Sequence, residues 1–375
     1  MRANLASLAV AALLLLLGAG PLLAAEEAEN QPLWSTSPYF YWQGKIEAGE
    51  GVFTCTVNDN RLEAGKCVGH IYQGVAHVRV TLTLEENAIV ISRGGKELFR
   101  GSFFYAPSFN ELLVPEDTPS YVFHTQERED ACKACHRMEP ADGDKEPRRP
   151  QDSLCHSCHA DEFARLKYRH VTTEQWRCLH CHNPEWVESE TIPDTMVRYA
   201  VTEIGDLSVV CYGCHEKEQE KYSAEHHIHG PVAEGGCHYC HNPHGSARPK
   251  FIQTNVTRLC VDCHDLGEIL ERPFVHTILR KKGCTACHDA HASGFEYQLR
   301  MDVVPLCFSC HRQIEKVGDN HPLNRHPAHG KPYPNDKSKL ITCVSCHNPH
   351  GSDADKLLPE TEMMLLCVRC HDMKK

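Results

Sequence analysis

The sequence lacks an apolar segment long enough to cross a bilayer as a helix, which needs about 20 residues. Its longest apolar run, residues 5–17, follows Arg2 and precedes the small residues Ala24 and Ala25. A basic start, a short apolar stretch and a small-residue cleavage site are typical of a secretory signal peptide. We therefore expect residues 1–25 to be removed on export. No cysteine lies beside that site, which argues against a lipid-anchored form.

Positive charge is also scarce. The chain has 39 lysines and arginines against 50 aspartates and glutamates, a formal net charge of −11. Proteins that bind nucleic acid need a basic surface, so this class is excluded. An acidic surface suits docking to basic patches on partner proteins.

Cysteine, by contrast, is abundant: 20 of the 22 cysteines fall into ten Cys-x-x-Cys pairs, each followed at once by histidine. This motif is typical of c-type haem attachment, because two thiols at this spacing can bond both vinyl groups of one porphyrin. The adjacent histidine then supplies an axial ligand to the iron. The twenty cysteines are Cys132, Cys135, Cys155, Cys158, Cys178, Cys181, Cys211, Cys214, Cys237, Cys240, Cys260, Cys263, Cys284, Cys287, Cys307, Cys310, Cys343, Cys346, Cys367 and Cys370. The ten proximal histidines are His136, His159, His182, His215, His241, His264, His288, His311, His347 and His371.

Three other uses of paired cysteines explain the motif less well. Zinc sites take four ligands from two such pairs and do not require a histidine after each second cysteine. A disulfide scaffold suits an exported protein but also leaves the histidines unexplained. A thioredoxin-type redox pair would occur once or twice, not ten times. The sequence therefore predicts ten covalently attached haems.

The motifs are arranged as repeats. Successive first cysteines are mostly 23 to 26 residues apart, with two larger intervals of 33 and 36, which indicates an array of similar units. Each unit is a pair of motifs preceded by a leading histidine. In the first four units this histidine lies eight residues before the first cysteine of the pair, and in the fifth it is either His326 or His329. The first four leading histidines are His124, His170, His229 and His276. A second feature, His-Asn-Pro-His-Gly-Ser, begins at His241 and at His347, with a weaker copy at His288.

This pattern resembles the doubled Cys-x-x-Cys-His family, and the motif count resembles the decahaem cytochromes of metal-respiring bacteria. The resemblance covers residues 124–371 and implies low-potential haems with two histidine ligands, stacked closely enough for electrons to hop between them. It also implies that His244, His291 and His350 are distal ligands. The first two units depart from the pattern, since Glu139 and Glu185 stand where the others have histidine. Their haems are expected to take a sixth ligand from elsewhere or to lack one.

Ten haems with two histidines each need twenty histidines, and the chain has 27. The two recurring features supply eight distal positions, with His329 taken for the fifth leading position and His326 as its alternative. We assign the last two positions to His227 and His321. The remaining candidates are His156, His180, His226 and His238. Methionine can also ligate haem iron, but no methionine recurs at a fixed offset, which favours packing roles for them.

Residues 34–122 contain no haem motif and have the pattern of β structure. Residues 78–84 alternate apolar and polar side chains, as in a half-buried strand, and residues 88–92 and 97–105 follow after turns. Residues 51–57 and 66–73 are predicted to form a further hairpin, with Cys55 and Cys67 on its two arms. These two cysteines lie outside the haem motifs and are expected to form a disulfide. An aromatic cluster at residues 34–42 is interpreted as strand packing, with a docking patch as the alternative.

The predicted fold class is therefore a multihaem cytochrome c: a small antiparallel β barrel or sandwich of about six strands, followed by a haem-packed array of short helices and loops. The predicted domains are residues 34–122, β-rich and haem-free, and residues 123–375, with five paired repeats.

The sequence favours an electron conduit in the periplasm, at the outer membrane or outside the cell, serving anaerobic respiration and exchanging electrons with other cytochromes. One alternative is a reductase of nitrite, hydroxylamine or a sulfur oxyanion, which needs an open iron position. Another is a filament in which copies self-associate, with His70 or His77 ligating a haem of the next copy.

Overall fold

The computed structural model describes residues 33–47, 50–106, 114–115, 118–189, 192, 194–199, 207–317, 320–321 and 323–371. The predicted signal peptide lies outside these residues. The described part of the chain falls into two compact units that meet in sequence at Phe123 and His124. Within it we find no helix with the length and apolar character of a membrane span.

The first of these compact units, called the β-rich unit below, consists of eight strands in two sheets. Their bounds are β1 Leu33–Ser35, β2 Tyr39–Lys45, β3 Phe53–Val57, β4 Asn60–Arg61, β5 Cys67–Tyr72, β6 Val75–Thr81, β7 Glu85–Arg93 and β8 Lys96–Tyr105. The five-stranded sheet has the order β1-β8-β7-β3-β4 and the three-stranded sheet the order β2-β6-β5. All pairs are antiparallel except β1 with β8, which is parallel. The antiparallel β structure predicted from the sequence is present, with this single parallel pair at one edge.

Buried residues from both sheets form one apolar cluster. Val78 and Val80 of β6 contribute to it from the three-stranded sheet, and Ile89 and Ile91 of β7 from the five-stranded sheet. The period-two alternation in the sequence produces this arrangement, because successive side chains of a strand point to opposite faces. Phe40 packs against Phe99, Phe103 and Tyr121 at centroid distances of 5.0 to 5.6 Å, as expected if the aromatic cluster packs the first strands.

The disulfide between Cys55 and Cys67 is present, but the hairpin predicted around it is not. β3, with Cys55, pairs with β4 and β7, whereas β5, with Cys67, pairs with β6. The two strands therefore lie in different sheets, and the disulfide joins those sheets. The residues between the two strands resembled a hairpin loop, but each strand pairs with other segments of the chain and the two do not pair with each other.

The turn predicted at residues 85–87 is also displaced. β6 ends at Thr81, Leu84 is exposed, and β7 already begins at Glu85, whose φ is 70°. The buried Asn87 closes this turn: its Oδ1 accepts from the Thr83 backbone N–H at 2.7 Å, and its Nδ2 donates to the Thr83 carbonyl at 2.8 Å. A residue type that usually marks an exposed loop is therefore buried in a strand, because the turn satisfies its amide.

The second unit contains short helices, 3₁₀ turns and two-residue strands. The helices are α1 Gln126–Cys132, α2 His156–Ala164, α3 Val171–Glu174, α4 Ser208–Tyr212, α5 Glu216–Ser223, α6 Gly230–Ala233, α7 Val256–Val261, α8 Gly267–Glu271, α9 Thr277–Lys282, α10 Val303–Phe308, α11 Arg312–Val317 and α12 Met363–Val368. The strands are β9 Tyr168–Arg169, β10 Val187–Glu188, β11 Met196–Val197, β12 His227–Ile228, β13 Gly245–Ser246, β14 Phe274–Val275, β15 Ala292–Ser293 and β16 Gly351–Ser352. Among the described residues of this unit, the buried apolar side chains are Trp176, Val197, Ala292, Ile341 and Ala354. Such scattered residues do not make a side-chain core, and the haem-packed array expected from the sequence stays a prediction.

Three of the four two-stranded sheets described in this unit join consecutive repeats. β9 pairs with β13, β12 with β15, and β14 with β16. In each sheet, the first strand precedes the leading histidine of one repeat and the second follows the second histidine of the next. At β13 the approach needs glycine: Gly245 has a φ of 132°, and a Cβ there would collide with the Tyr168 carbonyl. The recurring sequence feature therefore marks a backbone contact between repeats.

Candidate haem-ligand sites

All ten motifs share one local geometry. In each, the histidine N–H donates to the carbonyl of the first cysteine, four residues earlier, at 2.8 to 3.1 Å. This single helical turn places both thiols and the imidazole on one short segment, as covalent attachment of one porphyrin requires. In units two to five, the leading motif begins with a 3₁₀ turn, whereas an α-helix ends one residue after the first cysteine of the second motif. The ten sites therefore share the same closing turn.

Nine of the ten motif histidines face a second histidine. The centroids of the paired rings lie 5.9 to 6.4 Å apart. With the motif histidine first, the pairs are His159–His124, His182–His244, His215–His170, His241–His291, His264–His229, His288–His350, His311–His276, His347–His321 and His371–His326.

These distances can be compared with the spacing of two imidazoles on one iron. A metal–imidazole bond is about 2.0 Å, and a nitrogen lies about 1.1 Å from the centre of a five-membered ring. Two imidazoles on opposite faces of one ion therefore have centroids about 6.2 Å apart. The observed range spans this value, whereas rings in direct contact would lie closer. The residues present fit a haem iron held between two histidines.

Hydrogen bonds also orient the rings for ligation. The Nδ1 atoms of His241, His288 and His347 lie 2.7 to 2.8 Å from the backbone carbonyls of residues 250, 297 and 356. A carbonyl can only accept, so Nδ1–H donates and Nε2 keeps the lone pair that binds a metal. His229 and His276, on the facing side of other pairs, donate to backbone carbonyls in the same way.

The three carbonyls that hold these proximal histidines come from strained positions. Lys250, Tyr297 and Lys356 have φ values of 57° to 61°, a region that residues other than glycine rarely adopt. Tyr199 (φ 62°) accepts from Nδ1 of His182 at 2.7 Å. A hydrogen bond from the leading motif's histidine to a carbonyl at a residue with positive φ thus recurs in four repeats. In the second repeat the accepting residue lies 17 positions after the histidine, and in the other three it lies nine positions after.

Seven of the nine pairs, those of the motifs in units one to four, follow two rules of connectivity. The second motif of a unit pairs with the leading histidine of the same unit, as His215 does with His170. The leading motif of units two to four pairs with the second histidine of the next unit, as His182 does with His244. The strand pairing between repeats accounts for the second rule, because His170 N–H donates to the His244 carbonyl at 3.1 Å.

Two predicted distal ligands lie outside these pairs. The ring of His329 packs edge-on against Phe308 at 5.4 Å, and His326 faces His371 in its place. His227 lies in β12, beside β15, and is in none of the nine ring pairs. The other eight predicted distal histidines are all in facing pairs. Of the remaining candidates, His156 packs on Trp176 and His180 bonds to Glu146.

The pair formed by His124 and His159 differs from the rest in its partners. Nδ1 of His124 donates to the buried carboxylate of Glu129 at 2.8 Å, and Nδ1 of His159 lies 3.1 Å from Glu162. Glu129 also pairs with the buried guanidinium of Arg198. Burial acts to raise the pKa of Glu129, but its bonds to His124 and Arg198 lower it overall, so the carboxylate is charged.

Burial keeps several of the facing histidines neutral. It lowers the pKa of His244 to about 3, and it also lowers the pKa of His170, His291 and His350. A ligand imidazole must be neutral to bind iron, and these rings are already in that form at neutral pH.

Cysteines of consecutive motifs lie side by side. Cys155 hydrogen bonds to Cys178, and Cys307 to Cys343, each joining the second motif of one unit to the leading motif of the next. Within units, burial raises the pKa of Cys240, and neighbouring Cys263 raises it further. The same applies to the pairs Cys181–Cys214, Cys287–Cys310 and Cys346–Cys370. These consecutive motifs are therefore neighbours in space.

In the β-rich unit, His70 of β5 and His77 of β6 stack across the strand pair with ring centroids 5.0 Å apart. Among the described residues, no group of three or more metal-binding side chains occurs. The two histidines contact each other, and their predicted role as ligands to a haem stays a prediction.

Comparison with known proteins identifies the doubled motif in part of the chain. The doubled CXXCH motif family matches residues 229–268, 276–316 and 331–375, which are units three to five. The chain is also 27% identical over 203 residues to the multiheme cytochrome MtrA of Shewanella baltica (strain OS185). That alignment covers 53% of this chain and 43% of the relative, so the chain spans less than half of the relative's length.

Proposed function

We propose that this chain, a multihaem c-type cytochrome with doubled CXXCH motifs, is an exported conduit that carries electrons along ten covalently attached haems. The observation that carries the proposal is the set of nine facing histidine pairs. Two imidazoles fill both axial positions of a haem iron. Such an iron has no open position for a substrate, and its remaining chemistry is electron transfer. The protein's contribution is then to hold the haems and set their potentials.

The order of the sites supports conduction along the chain. Thioether bonds would fix each porphyrin to its own cysteines, and cysteines of consecutive motifs interact at three junctions between units, Cys155–Cys178, Cys260–Cys284 and Cys307–Cys343. Within units two to five, cysteines of the two motifs also interact. Each of these haems would therefore lie beside at least one haem that neighbours it in sequence. Electrons would pass from haem to haem in sequence order, without a single reactive centre.

The cellular location and the redox partners of this conduit are proposed from the resemblance and the sequence. We place the protein in the periplasm, at the outer membrane or outside the cell, in anaerobic respiration, with other cytochromes as redox partners. Its haem-free domain, residues 34–122, would be separate from the decahaem domain, residues 123–375. Its acidic charge suits docking to basic patches of those partners.

The proposal is tested on protein matured in a host that attaches c-type haem. Intact mass should show ten haems, and electron paramagnetic resonance should show low-spin iron at the nine sites with paired histidines. Protein-film voltammetry should show reversible electron exchange over a broad range of low potentials. Fewer than ten haems, or a majority of high-spin iron, would contradict the proposal.

A further inference from the structure

The second repeat carries glutamate where later repeats carry a ligand histidine, and it does so in the same local structure. In units three to five, the N–H of His244, His291 and His350 donates to the side-chain oxygen of the residue two positions earlier, at 2.9 to 3.1 Å. In unit two, the N–H of Glu185 donates to Asn183 Oδ1 at 3.0 Å. Glu185 is therefore the structural counterpart of those three histidines.

The connectivity of the repeats says which haem this substitution affects. Each of the three histidines faces the leading motif of the preceding unit, through the pairs His182–His244, His241–His291 and His288–His350. By the same rule, position 185 serves the leading motif of unit one, whose histidine is His136. The sequence indicated that haems of the first two units have no second histidine. For the leading motif of unit two, which begins at Cys178, this does not hold, because His244 faces its histidine, His182.

His136 matches this expectation. The described residues include all 27 histidines, and His136 is the motif histidine that belongs to none of the nine ring pairs. Its own turn is intact, because its N–H donates to the Cys132 carbonyl at 3.0 Å. The motif could therefore attach a haem as the others do, but no second histidine faces His136 in the described ring pairs.

Methionine does not replace the missing histidine from the nearest position. Met138 follows His136 by two residues, a span of at most about 7 Å, which is less than the path around a porphyrin edge. Its carbonyl also accepts from Arg198 at 2.6 Å, and Arg137 is held by the buried Asp144 at 2.6 Å. These contacts hold the segment directly after His136 in place.

We propose that the haem attached at Cys132 and Cys135 is the ligand-binding haem of the chain, with Glu185 on its distal face. This inference rests on the proposed function, since it assumes that the first motif carries haem. A carboxylate is a weak ligand to haem iron, so the sixth position is exchangeable. The ferrous iron of this haem would bind small neutral π-acceptor ligands of the carbon monoxide and nitric oxide type, which haems held by two histidines would exclude.

The test counts bound carbon monoxide per protein in the fully reduced, fully haem-loaded chain. We expect one equivalent, together with one high-spin haem in ten when the protein is oxidised. The variant Cys132→Ala/Cys135→Ala cannot attach the first haem and should carry nine haems and bind no carbon monoxide. Ten haems that are all low-spin and bind none would overturn the inference while leaving the conduit intact.

A gain-of-ligand variant tests the role assigned to position 185. Glu185→His should bind no carbon monoxide and should convert the one high-spin haem to low-spin, because it restores the histidine of the other repeats. Its matched control is Glu188→His, which adds a histidine at an exposed position of β10 and should still bind one equivalent. If Glu185→His still binds one equivalent, Glu185 does not face this haem.

The double variant His70→Ala/His77→Ala addresses a ligand from the β-rich unit. We expect it to bind the same single equivalent as the unaltered chain. A high-spin haem that appears only in this variant would show that the β-rich unit supplies the sixth ligand and would overturn the inference. A mass below ten haems in the unaltered chain would instead contradict the proposed function.

Discussion

The imidazole of His182 faces that of His244 with centroids 5.9 Å apart and ring planes 2° apart, although the two histidines belong to different repeats. The repeats therefore do not each complete their own sites. In units two to four, the leading motif takes its facing histidine from the next repeat, and a backbone hydrogen bond joins His170 to that same His244. Stacked repeats of this kind are stabilised mainly by contacts with their neighbours, and here the same contacts complete the iron sites.

His326 and His329 give a matched pair of variants for the last haem. His326→Ala should create one additional high-spin haem that binds carbon monoxide, because the ring facing His371 is removed. His329→Ala should leave the spin states unchanged, since His329 packs against Phe308. The measurement is the number of carbon monoxide equivalents in the reduced protein. The opposite pattern would mean that the sequence-based choice of His329 was correct.

Glu129 should tune the potential of the second haem. A carboxylate that accepts from a ligand imidazole raises the basicity of that imidazole and favours ferric iron. Glu129→Gln should therefore raise the midpoint potential of one haem, as measured by a potentiometric titration followed by electron paramagnetic resonance. Glu185→Gln serves as a comparison, because Glu185 accepts from no ligand histidine in the nine pairs. An unchanged set of low-spin potentials in Glu129→Gln would contradict this role.

The same Glu129 variant should lower stability. Glu129 and Arg198 are both almost wholly buried, and loss of the Glu129 charge leaves Arg198 with the more exposed Glu139 as its remaining carboxylate partner. Breaking a buried pair costs about 3 to 5 kcal/mol, and Glu139 should reduce that cost. The guanidinium-induced unfolding midpoint of the haem-loaded protein should fall accordingly. Glu162→Gln, at a more exposed carboxylate, should cost much less.

Lys356 tests the strained carbonyl that holds His347. Its φ is 58° and its carbonyl accepts from Nδ1 of His347 at 2.8 Å. Lys356→Gly should raise the free energy of unfolding by up to about 1 kcal/mol, because glycine adopts this region without a Cβ penalty. Lys356→Val should lower it, since β-branched residues tolerate positive φ least. Equal unfolding midpoints for the two variants would contradict the argument.

The disulfide between Cys55 and Cys67 should stabilise the β-rich unit by joining its two sheets. For a loop of this size the expected contribution is about 3 kcal/mol. Cys55→Ala/Cys67→Ala should therefore speed hydrogen exchange in β3 and β5, measured by mass spectrometry of peptides. The spin states of the haems serve as the control and should not change. Equal exchange in both proteins would show that strand pairing alone holds the sheets together.

Much of the chemistry could be predicted from sequence because it is local. Five consecutive residues contain both thiols and the proximal imidazole, and one helical turn is enough to bring them together. The alternation at Val78 and Val80 predicted a half-buried strand for the same reason. The leading histidines His170, His229 and His276 were found through their fixed offset, and each lies in a facing pair.

The rest depended on contacts between residues far apart in sequence. β3 and β5 appeared to form a hairpin but pair with different strands, because buried faces and partners decide sheet membership. The choice of His326 over His329, and the assignment of His244 to His182, follow from how the chain folds back on itself. The sequence alone determined ten attachment motifs and their turns, since these need only neighbouring residues. Only the tertiary structure decided which histidine faces which iron site, because strand pairing between repeats, and not spacing within them, brings the rings together.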